Sequence, residues 1–195
     1  MGIFLFHIKR NYKNIASFDG TKWTTYPQQY GGGIYNPTDD KKGNIWYTSN
    51  IGLYRFDGVN FTNYHTQNSG ILSNTGHDIC VDKFNNVWIA TNLGLSKFDG
   101  VNWTNYTTSN SKLPESNIYN ITVDDKNVLW ISTYLNLTRF DGTNWLSFNQ
   151  SNSPVMWPRR ISIDRSGNKW ISLAYCGFLF MKGDAVLSVT DTKTD

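Results

Sequence analysis

The chain has 195 residues and a formal net charge of +3, which fits one domain or at most two small ones and gives no indication of nucleic-acid binding. It contains 23 Asn, 19 Thr and 16 Gly but four Ala and a single Glu, so strong helix formers are scarce. Aromatic residues make up 15% of the chain, and such side chains suit half-buried strands. This composition disfavours all-α, α/β and disordered proteins.

The N-terminal region contains one short apolar run, Ile3–Ile8, which we predict to be a strand of an incomplete first unit. Its basic residues follow the apolar run, whereas a signal peptide has them in front. No stretch approaches the roughly 20 apolar residues of a membrane helix, so membrane insertion is not expected. Two further strands of this unit are predicted at Ile15–Phe18 and Trp23–Tyr26.

A repeat of about 42 residues dominates the rest of the sequence. Phe-Asp-Gly begins at Phe18, Phe56, Phe98 and Phe140, and each copy is followed by aromatic residues three and six positions after its Gly. A Trp recurs at a fixed place in four copies, and an Asp lies six residues before each Trp. This period and aromatic content are typical of a propeller blade. The Trp positions are Trp46, Trp88, Trp130 and Trp170, and the Asp positions are Asp40, Asp82, Asp124 and Asp164.

Each full unit divides into four short strands. In the third copy they are His77–Asp82, Asn86–Thr91, Leu95–Phe98 and Trp103–Thr107. The turn between the second and third strands carries a Gly in three units and an Asn in a fourth, and we expect a positive φ at each of these positions. They are Gly52, Gly94, Asn136 and Gly177.

We therefore predict an all-β fold, a small β-propeller of about five four-stranded blades with the first blade incomplete. The chain is predicted to be a single domain with units at about 2–30, 31–66, 67–108, 109–150 and 151–190. Met181-Lys-Gly183 replaces Phe-Asp-Gly in the last unit, which fits a terminal capping unit. The alternative is an open fragment of a larger ring, completed by self-association.

The unit from Asp78 to Tyr106 resembles the two-component regulator propeller repeat, and the likeness extends from about Ile15 to Gly183. In that family such repeats form the extracytoplasmic sensor region of hybrid histidine kinases. The resemblance implies recognition of a small ligand, commonly an oligosaccharide. It also implies an extracytoplasmic location, whether periplasmic, cell-surface or secreted.

Catalytic, metal and cofactor sites are not indicated by the sequence. The three His residues lie in different registers of the repeat and lack ligand-like spacing. Eight of the fifteen acidic residues are template Asp with an expected role in turns, and no other carboxylate pair stands out as a glycosidase pair would. We therefore expect a protein that is not an enzyme and that uses no cofactor.

The candidate binding residues are those that depart from the template near one mouth of the central channel. Aligning the units on the template Asp gives two columns at the start of the innermost strands. The first column is Tyr35, His77, Tyr119 and Arg159, and the second is Asn36, Asp78, Asn120 and Arg160. Trp157 lies off template in the connection to the last inner strand, and Tyr134 and Tyr175 lie off template in turns that open on the same face.

These residue types favour a glycan or another small polar ligand, because aromatic faces stack on sugars while Arg and Asn give directed hydrogen bonds. The alternative interpretation of the Tyr and Trp side chains is structural, namely that they cap the core. The alternative function is a protein–protein interaction or assembly module that forms a homo-oligomer through its incomplete first blade. Nucleic acid is not expected as a partner, because the core accounts for most aromatics. The predicted ligand-binding residues are Trp157, Arg159, Arg160, Tyr119, His77, Tyr35, Tyr134 and Tyr175.

Overall fold

The computed structural model describes residues 14–27, 32–175, 177–183 and 185–190, and this part of the chain contains strands, turns and loops but no helix. No described helix could therefore reach across a membrane. The predicted strand Ile3–Ile8 lies outside the described residues.

The described strands form five antiparallel sheets in which consecutive strands pair. The first sheet consists of β1 (Asn14–Phe18) and β2 (Trp23–Pro27), and the second of β3 (Tyr35–Asp39), β4 (Ile45–Ser49), β5 (Gly52–Phe56) and β6 (Phe61–Tyr64). The third consists of β7 (Gly76–Val81), β8 (Val87–Thr91), β9 (Leu95–Phe98) and β10 (Trp103–Tyr106). The fourth consists of β11 (Asn120–Val123), β12 (Leu129–Ser132), β13 (Leu137–Phe140) and β14 (Trp145–Phe148), and the fifth of β15 (Pro158–Ile163), β16 (Lys169–Leu173), β17 (Phe178–Lys182) and β18 (Ala185–Thr190).

Sheet-to-sheet packing follows the inner strands, since β3 packs on β7, β7 on β11 and β11 on β15. The second strands β4, β8 and β12 are buried along their whole length, because each lies between two neighbouring sheets. The predicted all-β propeller architecture is therefore confirmed. The second to fifth sheets thus follow one another in an arc, and among the described strands no packing of similar extent joins the last sheet to β1, β2 or β3.

The template Asp explains the six-residue spacing to the Trp. One oxygen of Asp82 accepts the N–H groups of Phe84 and Asn86 at 2.9 Å each and so closes the turn between β7 and β8. The other oxygen accepts the indole N–H of Trp88 at 2.9 Å. The carboxylate thus shapes the turn and orients the ring that fills the space between sheets.

One turn differs from our prediction. Gly52, Gly94 and Gly177 have φ values of 124°, 136° and 65°, as expected, but Asn136 is not among the described residues with positive φ. The expectation for Asn136 is wrong because a carboxylate holds this turn instead. Glu115 accepts a hydrogen bond from the Asn136 side-chain amide at 2.6 Å.

Candidate functional site

The second predicted column mainly joins neighbouring units. The Asn36 side-chain amide donates to the carbonyl of His77. The Asp78 carboxylate accepts the side-chain amide of Asn120, and it also accepts the N–H of Ile121 at 3.0 Å. Asn120 in turn accepts a backbone N–H of β15 at 2.7 Å. These bonds form a ladder between inner strands, so three of the four residues in this column hold the arc together.

Arg160 is the fourth member of this column and its side chain is exposed. Its backbone N–H donates to the hydroxyl of Ser172 at 3.0 Å. Burial raises the pKa of the Asp78 carboxyl, and the Arg160 charge only partly opposes that effect. Arg160 therefore places a cation beside the buried end of the ladder.

The first column is divided between two kinds of contact. Nδ1 of His77 lies 2.8 Å from the carbonyl oxygen of Ile118, and because a carbonyl only accepts, Nδ1 carries the proton. The Arg159 guanidinium lies 4.4 Å above the Tyr119 ring, within the range of a cation–π interaction. No three His, Cys, Asp or Glu side chains within the described ranges are grouped as potential metal ligands.

Trp157 has a backbone conformation that is unusual for a bulky residue. Its φ is 45°, and a residue in this region stores on the order of 1–3 kcal/mol of strain. The Trp157 carbonyl accepts the N–H of Ala174 at 3.0 Å, and the pairing register shifts between Pro158 and Ile161. The inner strands β3 and β7 have a register shift at the same place, so the bulge is a feature of the repeat and the positive φ of Trp157 is the departure from it.

The Trp157 indole lines a cavity of about 200 Å³. This volume lies below the roughly 300–1,000 Å³ of pockets for drug-sized ligands, so the cavity suits one small ring. An amide network forms its polar wall, since Asn149 donates to the Asn136 side chain at 3.0 Å and accepts the Ser151 hydroxyl at 2.6 Å. The other lining residues are Leu135, Asn136, Asn149, Gln150 and Ser151.

The carboxylate of Glu115 holds the turn that carries this wall. It accepts the N–H groups of Tyr134 at 2.8 Å and of Leu135 at 3.0 Å, in addition to the Asn136 side-chain amide. Three donors on one carboxylate fix the turn between β12 and β13. Leu135 and Asn136 are thereby held in place.

The remaining predicted residues surround this cavity unevenly. The Tyr175 ring meets the Trp157 ring edge-on, with 5.4 Å between centroids, and Tyr175 is 76% exposed. Tyr134 is exposed in the turn held by Glu115. Tyr35 is exposed on β3, two inner strands away from Tyr119, and makes no described ring contact with Trp157. The structure thus brings Trp157 together with Tyr175, and Arg159 together with Tyr119. Neither Tyr35 nor His77 lines the cavity.

Sequence reasoning missed the polar wall of the cavity. Two signals pointed to it, because Glu115 is the only Glu in the chain and Asn136 departs from the Gly of its turn. Asn149, Gln150 and Ser151 gave no such signal. They reach the cavity only because the loop after β14 approaches the turn of its own sheet.

Residues 112–135 match the family model described as the two component regulator propeller. The resemblance drawn from the repeat is thereby confirmed. The match lies within the fourth unit, and together with the five sheets it fits a β-propeller arc of four-stranded units. No curated protein sequence matches the chain significantly.

Solved structures of the same fold come from two classes of protein. The extracellular domain of a hybrid two-component system protein from B. thetaiotaomicron superposes with a TM-score of 0.73 at 20% identity, over 87% of this chain and 25% of that chain. A second such domain from this organism gives a TM-score of 0.70 at 16% identity, over 93% of this chain and 26% of that chain. Virginiamycin B lyase from Staphylococcus aureus, crystallised in inactive form with quinupristin, gives a TM-score of 0.74 at 15% identity, over 94% of this chain and 64% of that chain. At these identities the likeness shows the fold alone.

The lyase corrects our expectation that the chain is not an enzyme. That expectation, drawn from the lack of recognisable catalytic residue patterns, is wrong, because virginiamycin B lyase has this fold and is an enzyme. Chemistry depends on the residues placed on a propeller and not on the propeller itself. At 15% identity the lyase assigns no reaction to this chain.

Proposed function

We propose that this chain is a ligand-recognition propeller that binds a glycan or another small polar ligand at the mouth beside Trp157. The observation that carries this proposal is the backbone of Trp157, which is held at a φ of 45° while its indole lines a polar-walled cavity. Strain of this kind clusters at ligand sites.

The chemistry of the cavity supports a sugar ring as the ligand. The indole and the exposed Tyr175 ring offer apolar faces on which the C–H face of a sugar can stack. The amides of Asn136 and Asn149, with the Ser151 hydroxyl, supply donors and acceptors for sugar hydroxyl groups. Arg159 and Arg160 add positive charge on the same inner strand, which favours a sugar that carries a carboxylate or another anionic group.

The relatives support an extracytoplasmic role. Two structures of this fold are extracellular domains of two-component system proteins, and the matched repeat belongs to the same class of sensor propeller. We infer that this chain recognises its ligand outside the cytoplasm. The proposal concerns recognition and not signalling, because this chain matches 25% and 26% of the length of those two proteins.

The experiment is a glycan array probed with the purified chain, followed by calorimetric titration of the strongest hit. Trp157→Asn removes the indole, while Asn tolerates the left-handed backbone. We expect binding at least about tenfold weaker, equivalent to about 1.4 kcal/mol. Val101→Ala, at a residue that is 82% exposed in the turn between β9 and β10, is the matched control and keeps wild-type affinity. Equal affinity for Trp157→Asn and wild type, or no hit with folded protein, contradicts the proposal.

A further inference from the structure

A second cavity lies between the third and fourth sheets, and we call it the junction cavity. The loop after β10 forms one wall, and the hairpin between β13 and β14 forms the other. Its volume is about 540 Å³, which lies within the roughly 300–1,000 Å³ of pockets for small molecules. Its lining includes Tyr106, Lys112, Phe140, Thr143 and Trp145.

The preceding junction, between the second and third sheets, is bridged at the equivalent place. The side-chain amide of Asn105 on β10 donates to the carbonyl oxygen of Gly70 at 2.9 Å. Gly70 also lies against Trp103, because a Cβ added to Gly70 would come 2.7 Å from the Cβ of Trp103. The loop and the hairpin are thus in direct contact at that junction.

Lys112 takes the place of Gly70 one unit later. The two loops have the same local structure, since the Ser hydroxyl before each of these residues donates to the carbonyl oxygen four positions before that Ser. These bonds are 2.9 Å long in the first loop and 2.6 Å long in the second. The Cβ of Lys112 prevents its backbone from approaching Trp145 as closely as Gly70 approaches Trp103. A gap between the loop and the hairpin follows from this substitution.

Ser147 removes the second contact. It occupies the place of Asn105, because the two residues have the same pairing register, Asn105 with Ser96 and Ser147 with Thr138. The hydroxyl of Ser147 is hydrogen-bonded to that of Thr138 at 2.9 Å, and the Ser side chain is shorter than the Asn side chain that bridges the preceding junction. The junction cavity thus forms where two residues depart from the repeat.

The junction cavity carries a positive charge that no lining residue balances. Lys112 is exposed, and its ammonium group forms no ion pair or hydrogen bond within the described part of the chain. None of the ten lining residues is Asp or Glu. The carboxylate of the hairpin, Asp141, is paired with Arg139 at 3.1 Å. The cavity therefore favours an anionic ligand.

The aromatic and hydroxyl groups of the cavity favour a sugar ring. The rings of Tyr106 and Trp145 have centroids 5.8 Å apart and are tilted by 59°, so they offer apolar faces on which the C–H face of a pyranose can stack. The Tyr106 hydroxyl and the Trp145 indole N–H are hydrogen-bonded to no described residue. Thr143 adds a hydroxyl where the two preceding units have Val59 and Val101. These groups can bind the hydroxyl groups of a sugar.

We propose that the junction cavity binds an acidic sugar, whose ring stacks on Trp145 and whose carboxylate pairs with Lys112. The same chemistry is present in a free uronic acid and in the uronic acid residues of a longer glycan. This inference does not depend on ligand binding beside Trp157, because the two cavities share no lining residue.

The test is an NMR titration of the purified full chain with sodium galacturonate, sodium glucuronate and trigalacturonate. It follows the Trp145 indole N–H signal, which is assigned by its absence in Trp145→Phe. We expect this signal to shift and saturate with at least one of the three, and tighter saturation with trigalacturonate supports the proposal with a longer glycan as the source. Sodium acetate at the same ionic strength and the neutral sugars glucose and galactose should leave the signal in place. No saturable shift with any uronate, an equal shift with acetate or a neutral sugar, or a shift at Trp157 alone overturns the proposal.

Variants at the junction provide a second readout. Lys112→Ala should weaken uronate binding at least about tenfold. Lys126→Ala is the matched control, because it removes the same charge from the exposed turn between β11 and β12, and it should bind like wild type. The double variant Lys112→Gly with Ser147→Asn restores the residues of the preceding junction and should abolish the Trp145 shift, while circular dichroism confirms that it is folded. Wild-type uronate binding by the folded double variant, or equal affinities of Lys112→Ala and Lys126→Ala, overturns the proposal.

Discussion

The indole N–H of Trp130 donates to the carboxylate of Asp124 at 3.1 Å, and both side chains are buried. The same carboxylate lies 3.4 Å from the ammonium group of Lys169 in the next unit. One side chain therefore orients the interior ring, closes its own turn and joins two sheets. In the last unit Asp164 and Trp170 repeat the bond at 3.2 Å, but on an exposed face.

Removal of the Asp124 carboxylate should destabilise the fold strongly. In Asp124→Ala the Trp130 indole loses its acceptor and the buried Lys169 loses its contact with this carboxylate, so we expect the free energy of unfolding to fall by about 1–3 kcal/mol. Urea denaturation followed by circular dichroism measures this change. Asp164→Ala is the matched control and should cost much less, since water can replace the lost contacts. Equal losses in the two variants would show that burial of the pair is unimportant.

Asp78 offers a test of the ladder between inner strands. Asp78→Ala removes the acceptor for the Asn120 amide and the Ile121 N–H, and it should lower the free energy of unfolding by about 1–3 kcal/mol. Asp78→Asn keeps an acceptor oxygen and matches the Asn found at this position in the neighbouring units. Because burial raises the pKa of Asp78, its contribution to stability is greatest at low pH and is lost as pH rises through that pKa. Asp78→Asn should therefore be at least as stable as wild type at neutral pH, and a loss as large as that of Asp78→Ala would contradict the assignment.

Turn carboxylates should make the fold sensitive to acid. Asn144 and Thr143 donate backbone N–H groups to Asp141 and lower its pKa from 3.8 to about 2. The side-chain amide of Asn168 and the indole of Trp170 donate to Asp164 and likewise lower its pKa from 3.8 to about 2. A lowered folded-state pKa stabilises the fold above the unfolded-state value, and this stabilisation is lost as pH falls through the folded-state value. The Tm measured by circular dichroism should therefore fall between about pH 4 and pH 2. Asp141→Asn should show a shallower fall, and a Tm that is constant or rises on acidification would refute this account.

Trp157 should separate stability from binding. In Trp157→Asn, relief of the positive-φ strain offsets part of the lost ring packing, so we expect a change in the free energy of unfolding within about 1 kcal/mol of wild type. Thermal and urea unfolding measure this difference. Trp88→Asn, at a buried Trp of the third sheet, is the comparison and should cost at least about 3 kcal/mol. A similar loss in both variants would identify Trp157 as an ordinary core residue.

The architecture could be predicted because its determinants are periodic in the chain. Asp82 and Trp88 must lie six residues apart for one carboxylate to close a turn and reach the indole, and every full unit repeats that requirement. Trp157 was singled out because it does not fit the repeat. Its wall could not be found, because Gln150 and Ser151 approach the turn at Asn136 only through tertiary packing.

The exposure of Trp170 was missed for a similar reason. Trp170 fits the repeat as well as Trp46 does, and the pattern in the chain does not show which Trp is left exposed. Phe180 carried a usable signal, because it pairs with Trp170 and breaks a column of cations, Arg55, Lys97 and Arg139, that pair with the Trp residues of the other sheets. That column becomes recognisable only when the pairing of β16 with β17 is known.

The most direct test of ligand recognition beside Trp157 is an NMR titration that follows the indole N–H signals of the eight Trp residues while the strongest array hit is added. The Trp157 signal is assigned by its absence in Trp157→Asn. We predict that this signal shifts and saturates with the calorimetric affinity, while the signals of Trp46, Trp88 and Trp130, whose N–H groups are bound to Asp, stay in place. A saturating shift at another Trp with no change at Trp157 would contradict the account.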